Sequence, residues 1–309
     1  VHGEGDSDAT CRLNIAMNDL HLPDAACEPL ACSLTPVSVL APSIQHVPLV
    51  FASPHSGREY PAQFVAAARL DALSLRRSED SFVDELFSGA PDLGAPLVCA
   101  NFPRAYCDPN REPWELDPGM FSDSLPPWVN TTSARVGAGL GTIARVVASG
   151  ESIYRGKLAF ADAEDRVKRC WHPFHHALQA AVRNTRERFG FCLLIDCHSM
   201  PGTSMAPKAA ADFVLGDAHG TTCSPRIARQ VERKLSGMGY TVRRNDPYAG
   251  GYITRHYGRP REHVHALQIE ICRTIYMDEA RIERLPRFDR LRHDMTALIA
   301  ALAEGVETG

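Results

Sequence analysis

Five short apolar runs, separated by longer stretches of helical periodicity, constrain this chain more than any other feature. VPLVFA (47–52), PLVCANF (96–102), FCLLIDC (191–197), DFVLGD (212–217) and ALQIEIC (266–272) have the length and aliphatic content of buried strands. Helical patterns fall at about 60–75, 79–89, 162–189, 224–238 and 278–304. Strands that alternate with helices predict an α/β fold of three layers, a mostly parallel sheet flanked by helices on both faces. No internal repeat or low-complexity linker interrupts the pattern. Residues 1–43 carry scattered Pro, Ala and Cys without sustained periodicity and read as an N-terminal tail or short helical extension. Residues 44–309 read as a single α/β domain.

Charge and composition remove several classes of function. The formal net charge is -4, whereas a nucleic-acid binder would normally show a basic excess and Lys/Arg clusters on one element, so the charge argues against that class. No apolar run approaches the roughly 20 residues a membrane-spanning helix needs. The first residues, VHGEGDSDAT, lack the basic region and apolar core of a secretory signal and read as a tag remnant or loose tail. Ten cysteines include no C-x-x-C pair, and several sit in strand-like runs, where a reduced thiol behaves as a small hydrophobe. A reducing, cytoplasmic location is the simpler expectation.

Three of the candidate strands carry or lead to ionisable groups. VPLVFA leads to His55, FCLLID leads through Cys197 to His198, and ALQIEIC contains Glu270. Ligands of open α/β sheets bind beyond the carboxyl ends of the strands, so these three residues are candidates for one site. A lone histidine after a strand is more often a satisfied turn residue; two on such loops lower that alternative. Two histidines and a carboxylate form a catalytic zinc set with one position left for water. The carboxylate could be Glu59, Glu79 or Asp80, and spacing does not choose among them. Glu270 alternates with Leu267, Ile269 and Ile271, so it faces away from the apolar side of its strand. There it either opens onto a site or forms a buried ion pair with Arg273 or Arg111. In CDPNR, Asn110 and Arg111 suit capture of a carboxylate, or Asp108 and Arg111 tie a turn together.

Other signals are weaker. Gly137, Gly139 and Gly141 match neither the phosphate loop nor the dinucleotide fingerprint. His172 and His176 could share a metal on one helical face, but Pro173 lies between them. Ser56 and Ser199 adjoin histidines without the G-x-S-x-G context of a serine hydrolase.

Collected in order, PHSGREYP, SEDSFVDELF, FPRAYCDPNR, RVGAGLGTIARV, IYRGKL, HPFHHAL, LLIDCHSMPG, NDPYAGGYITRHYG and LQIEICRTIYMDE make a pattern. It resembles that of the N-formylglutamate amidohydrolase family, from about Val47 to Glu279, while the first forty-odd residues match nothing in it. The resemblance implies the architecture of zinc carboxypeptidases and cell-wall amidases, a mixed sheet between helices with one Zn2+ at the strand ends. It implies release of formate from N-formyl-L-glutamate, a late step of histidine breakdown. The runner-up substrates are another N-acyl amino acid or a peptide amide, and a protein that kept the fold without turnover is a third reading. Carried onto this chain, the resemblance makes His55 and His198 metal ligands and favours Asp80, with Glu79 behind it, as the third. Glu270 becomes the catalytic base. Arg104, Asn110 and Arg111 become the residues that hold a substrate carboxylate, and a closed pocket lined by Arg111, Arg104 and Arg255 would suit a small anionic substrate better than an open groove.

Overall fold

The computed structural model describes residues 35–203 and 210–306; residues 1–34 of the expected tail lie outside them. Seven strands form the main sheet: β1 (Val37–Leu40), β2 (Leu49–Ser53), β3 (Leu97–Ala100), β4 (Cys192–Met200), β5 (Phe213–Gly216), β6 (Val242–Arg244) and β7 (Val264–Cys272), in the order β1-β3-β2-β4-β7-β5-β6. The block β3-β2-β4-β7 is parallel. β1 is antiparallel to β3, and β5 is antiparallel to β7 and parallel to β6. The helices are α1 (Ala62–Ala67), α2 (Ala72–Arg76), α3 (Val83–Leu86), α4 (Ala134–Gly137), α5 (Phe160–Arg166), α6 (His172–Phe189), α7 (Pro225–Gly237), α8 (Tyr252–Tyr257) and α9 (Phe288–Glu304).

The alternation of side chains along each strand builds two cores. Leu49, Phe51, Leu193, Ile195, Leu267 and Ile269 face one way, against Leu86 of α3, Val231 of α7 and Leu298 of α9. Val50, Ala52, Leu194 and Ala266 face the other way, against Phe174 and Leu178 of α6 and Ile253 of α8. Strands with both faces covered read as continuous apolar runs, which is why five were visible. α7 shows how the helices are specified. Ser224 caps it, its Oγ accepting from the Arg226 N–H at 3.3 Å, Pro225 opens it, and Ile227, Ala228, Val231 and Leu235 make its buried stripe.

Several expectations are corrected. Residues 37–40, assigned to the tail, form an edge strand; VSVL lies between Pro36 and Pro42 and is half exposed, so it has no long apolar run to mark it. β5 runs against its neighbour β7 and begins at the end of the sheet where β4 stops: Met200 and Phe213 pair with adjoining residues of β7, Cys272 and Ile271. The first expected helix breaks into α1 and α2, the second shrinks to α3, and the last starts at Phe288. From Phe160 to Phe189 the chain stays helical around Pro173, through one wide turn at Val167–Trp171. A ring without an N–H that crowds the preceding turn explains the widening. The Pro- and Gly-rich stretch from 103 to 157 has its own small core of Leu116, Met120, Phe121, Val129, Ile143 and Leu158. Among the described residues no helix is long and apolar enough to cross a membrane.

Candidate active site

The parallel strands deliver their polar residues to one end of the sheet. His198 lies inside β4, because that strand runs on to Met200, and is paired in register with Glu270 of β7. His55 sits two residues past the end of β2, in a turn pressed against the neighbouring loop. A Cβ on Gly57 would lie 2.1 Å from the Phe102 carbonyl oxygen, so glycine alone permits that approach. The Glu59 N–H donates to the Asn101 carbonyl at 2.9 Å. Asp80 precedes α3, and its N–H donates to the His55 carbonyl at 3.0 Å, which ties the two segments directly.

His55, Asp80 and His198 converge, each offering one ligand atom within 4.8 Å of the others, and all three are buried. Asp80 Oδ2 lies 3.3 Å from His55 Nδ1 and 3.0 Å from His198 Nδ1. His55 Nδ1 is nonetheless a buried nitrogen without a hydrogen bond. Such an atom is unusual in a native interior and points to a missing partner. The far nitrogen of each ring is backed by a carboxylate: His55 Nε2 lies 2.7 Å from Asp108 Oδ1, and His198 Nε2 lies 2.9 Å from Asp196 Oδ1. The Asp108 carboxylate holds His55 Nε2 as N–H and leaves Nδ1 to act as a ligand, whereas Asp196 Oδ1 lies near His198 Nε2 without a hydrogen bond. Asn110 Nδ2 lies 3.1 Å from the same His198 nitrogen, and its Oδ1 accepts from the Ile253 N–H at 2.8 Å.

The charges around the two rings follow from burial set against pairing. Burial would raise the Asp80 carboxyl, but the hydrogen bond from His198 and the charges of the nearby His55 and Arg273 hold it well below the usual range. Arg273 donates through Nη2 to Asp80 Oδ1 at 2.9 Å and through Nε to Ser199 Oγ at 3.1 Å. Burial would likewise raise Asp108, and Arg104, Arg111 and His55 outweigh it. For His198 burial opposes charge, yet Asp196 and Asp80 raise it well above the ordinary imidazole value. The pocket between the rings is therefore built to stabilise a cation. Glu270 is different. Burial dominates there and pushes it up to about 7. Gln268 Nε2 donates to Glu270 Oε1 at 2.8 Å, and Gln268 Oε1 accepts from the Gly251 N–H at 2.8 Å.

Not every expected residue joins this centre as foreseen. Glu79 is buried but turned away, accepting from Tyr60 Oη at 2.8 Å, Ser81 Oγ at 2.9 Å and Arg76. Glu59 is exposed. Arg273 pairs with Asp80, not Glu270. Arg111 is buried, with Nε donating to the Leu140 carbonyl at 2.8 Å and Nη1 to the Asn110 carbonyl at 2.7 Å. Its guanidinium braces the 108–111 turn, so the turn-tying alternative describes it better than carboxylate capture. The Asn110 amide is spent on His198 and Ile253. Arg104 Nη2 donates to Asp108 Oδ2 at 2.8 Å, while its side chain stays partly open. Arg255 is exposed at the rim of a neighbouring cavity of about 310 Å³, which Asn110 also lines.

The weaker signals resolve into structural roles. His172 and His176 stack with centroids 6.0 Å apart, and no third donor joins them among the described residues. Ser56 Oγ accepts from the Asp84 N–H at 3.1 Å, and Ser199 Oγ accepts from Arg273. The neighbouring His175 was overlooked. Its Nε2 donates to the Pro109 carbonyl at 2.8 Å, Tyr257 Oη donates to its Nδ1 at 2.9 Å, and burial pushes its pKa down to about 3. Together with Trp171, whose Nε1 donates to the Arg111 carbonyl at 3.0 Å, it locks the 109–111 turn to α6. Asp196, Gln268 and Arg273 were also missed in these roles. A carboxylate inside the apolar run FCLLIDC was the available signal for Asp196.

Comparison with known proteins follows the same residues. The sequence profile of the N-formylglutamate amidohydrolase family matches residues 47–277. The N-formylglutamate deformylase of Pseudomonas aeruginosa is 31% identical over 240 residues, 75% of this chain and 83% of that protein. The Pseudomonas putida enzyme of the same name is 30% identical over 238 residues, with the same coverage. The crystal structure of N-formylglutamate amidohydrolase from Ralstonia eutropha superposes with a TM-score of 0.84 at 40% identity, covering 88% of this chain and 99% of that one.

Proposed function

The chain belongs to the N-formylglutamate amidohydrolase family, and from that premise we propose that it is a metal-dependent hydrolase that cleaves N-formyl-L-glutamate to formate and L-glutamate. The observation that carries the reading is the buried convergence of His55, Asp80 and His198 beside Glu270. The orphaned Nδ1 of His55 and the carboxylates behind both imidazoles fit a resident cation. His55 Nδ1, His198 Nδ1 and Asp80 Oδ2 would hold one ion, and two imidazoles with a carboxylate suit Zn2+. When bound, such an ion polarises the formyl carbonyl and makes water more acidic.

The chain's own residues do the rest. Arg273 occupies Asp80 Oδ1, so that Oδ2 is the oxygen left facing the imidazoles. Glu270, raised to about 7, exchanges a proton near neutral pH. It takes a proton from the attacking water and returns one to the leaving nitrogen as the C–N bond breaks. Gln268 holds Glu270 Oε1, leaving Oε2 for that proton. Arg104, partly open and close enough to feel the charges of Asp80 and Glu270, gives Nη2 to Asp108 and has only the rest of its guanidinium for the substrate. The seven described cysteines are free and six of them buried, which suits the expected reducing cytoplasm.

Formate release from N-formyl-L-glutamate tests the proposal, measured on the protein as prepared, after chelation and after zinc is restored. Activity should vanish on chelation and return with zinc. Absence of formate throughout refutes the substrate, and undiminished turnover by metal-free protein refutes metal dependence.

A further inference from the structure

We propose that the cavity between α4 and α8 is the subsite for the side-chain carboxylate of the acylated amino acid, with Arg135 and Arg255 as its cationic walls. The inference rests on the amidohydrolase reading and adds the residues that select an acidic substrate.

The cavity measures about 310 Å³, at the lower end of ligand-sized pockets, and Asn110, Glu112, Glu115, Arg135, Arg255 and His256 are among its lining residues. Asn110 joins it to the catalytic centre, since the same side chain lies 3.1 Å from His198 Nε2. The arginines expected to hold substrate are largely committed elsewhere, Arg111 to two backbone carbonyls and Arg104 to Asp108. Arg135 and Arg255 are not. Both are exposed, and neither pairs with a carboxylate among the described residues; Arg255 donates only to the Gly250 carbonyl, at 3.3 Å. Two guanidinium groups without counter-ions on one concave wall make an anion receptor, and a planar carboxylate suits their fork geometry.

The acidic residues in the lining do not cancel this charge. Glu115 is buried, with Oε2 accepting from the Glu112 N–H at 3.3 Å, and Glu112 Oε2 accepts from Asn130 Nδ2 at 3.2 Å. Neither forms an ion pair with Arg135 or Arg255. Their negative charge disfavours a polyanion and leaves room for one carboxylate drawn up to the arginines. The Gly-rich stretch explains how Arg135 reaches this place from distant sequence. A Cβ on Gly141 would lie 2.2 Å from the Glu115 carbonyl oxygen, so glycine lets that segment close onto the Asp108–Glu115 loop. The Thr142 N–H then donates to the Glu115 carbonyl at 2.8 Å, and the Asp108 N–H donates to the Thr142 carbonyl at 2.7 Å.

The test compares kcat/KM for N-formyl-L-glutamate and its neutral near-isostere N-formyl-L-glutamine, in wild type, Arg135→Gln, Arg135→Lys and Arg255→Gln. Wild type should favour the glutamate derivative. Arg135→Gln should lower the glutamate-to-glutamine ratio by about tenfold or more, as loss of a charged hydrogen bond implies. Arg135→Lys should restore part of it, with zinc content as in wild type throughout. General damage to the fold lowers both substrates together and leaves the ratio alone. An unchanged ratio in both Gln variants, with a wild type that hydrolyses the glutamate derivative, overturns the subsite alone. A wild type that releases formate from neither substrate overturns the amidohydrolase reading, and the subsite with it.

Discussion

Replacing Glu270 by Gln separates catalysis from stability in a way the structure makes quantitative. Gln keeps the shape and still accepts the hydrogen bond from Gln268 Nε2, but it cannot take a proton. If Glu270 is the base, kcat for formate release should fall by at least about a hundredfold, with zinc still bound. The fold should respond in the opposite direction. Burial raises the Glu270 pKa from 4.5 to about 7, so the metal-free folded protein holds a proton that the unfolded chain has already released. Stability therefore falls as pH rises through that window and levels off above 7. A shift of this size corresponds to about 3 kcal/mol. Urea denaturation of chelator-treated wild type and Glu270→Gln should show the variant more stable by about that amount at pH 8, the gap closing towards pH 4.5. Retention of more than a tenth of wild-type kcat removes Glu270 from the mechanism, and loss of zinc makes it a ligand. No stability gain at pH 8 refutes the argument from burial.

Three further outcomes follow from contacts around the centre. Asp80→Ala should abolish zinc binding, whereas Glu79→Ala should keep zinc and lose about 1–3 kcal/mol of stability, because Tyr60 and Ser81 lose a buried acceptor; metal analysis beside denaturation decides between the neighbours. Asp108→Asn should weaken zinc affinity about 10- to 100-fold in a competition titration, since it takes away the carboxylate behind His55; unchanged affinity would make that contact incidental. Arg111→Met should lower thermal stability and depress turnover of charged and neutral formyl substrates alike, because the guanidinium is spent on backbone carbonyls. A loss confined to the anionic substrate would return Arg111 to the binding role its motif suggested.

The strand and helix alternation, the placing of His55, His198 and Glu270 at one end of the sheet, and the family pattern were legible from sequence alone. Each depends on local periodicity or on short motifs, and a strand buried on both faces announces itself as an apolar run. Direction and partnership were decided only by the tertiary structure. Glu79 and Asp80 are neighbours of the same charge, and nothing local says which turns inward; the Asp80 N–H on the His55 carbonyl and Arg273 on its carboxylate decide it from segments far apart. The motif left Arg111 between carboxylate capture and tying its turn; Leu140, from the Gly-rich stretch, supplies the carbonyl that binds its Nε. Asp196 looked like the end of an apolar run until β4 proved to continue past His198. Arg135 opens the motif RVGAGLGTIARV but showed no sign of a binding role, because what sets it apart, among the described residues, is a missing counter-ion. The charge that a side chain fails to meet depends on every element folded around it, and no window of sequence contains that.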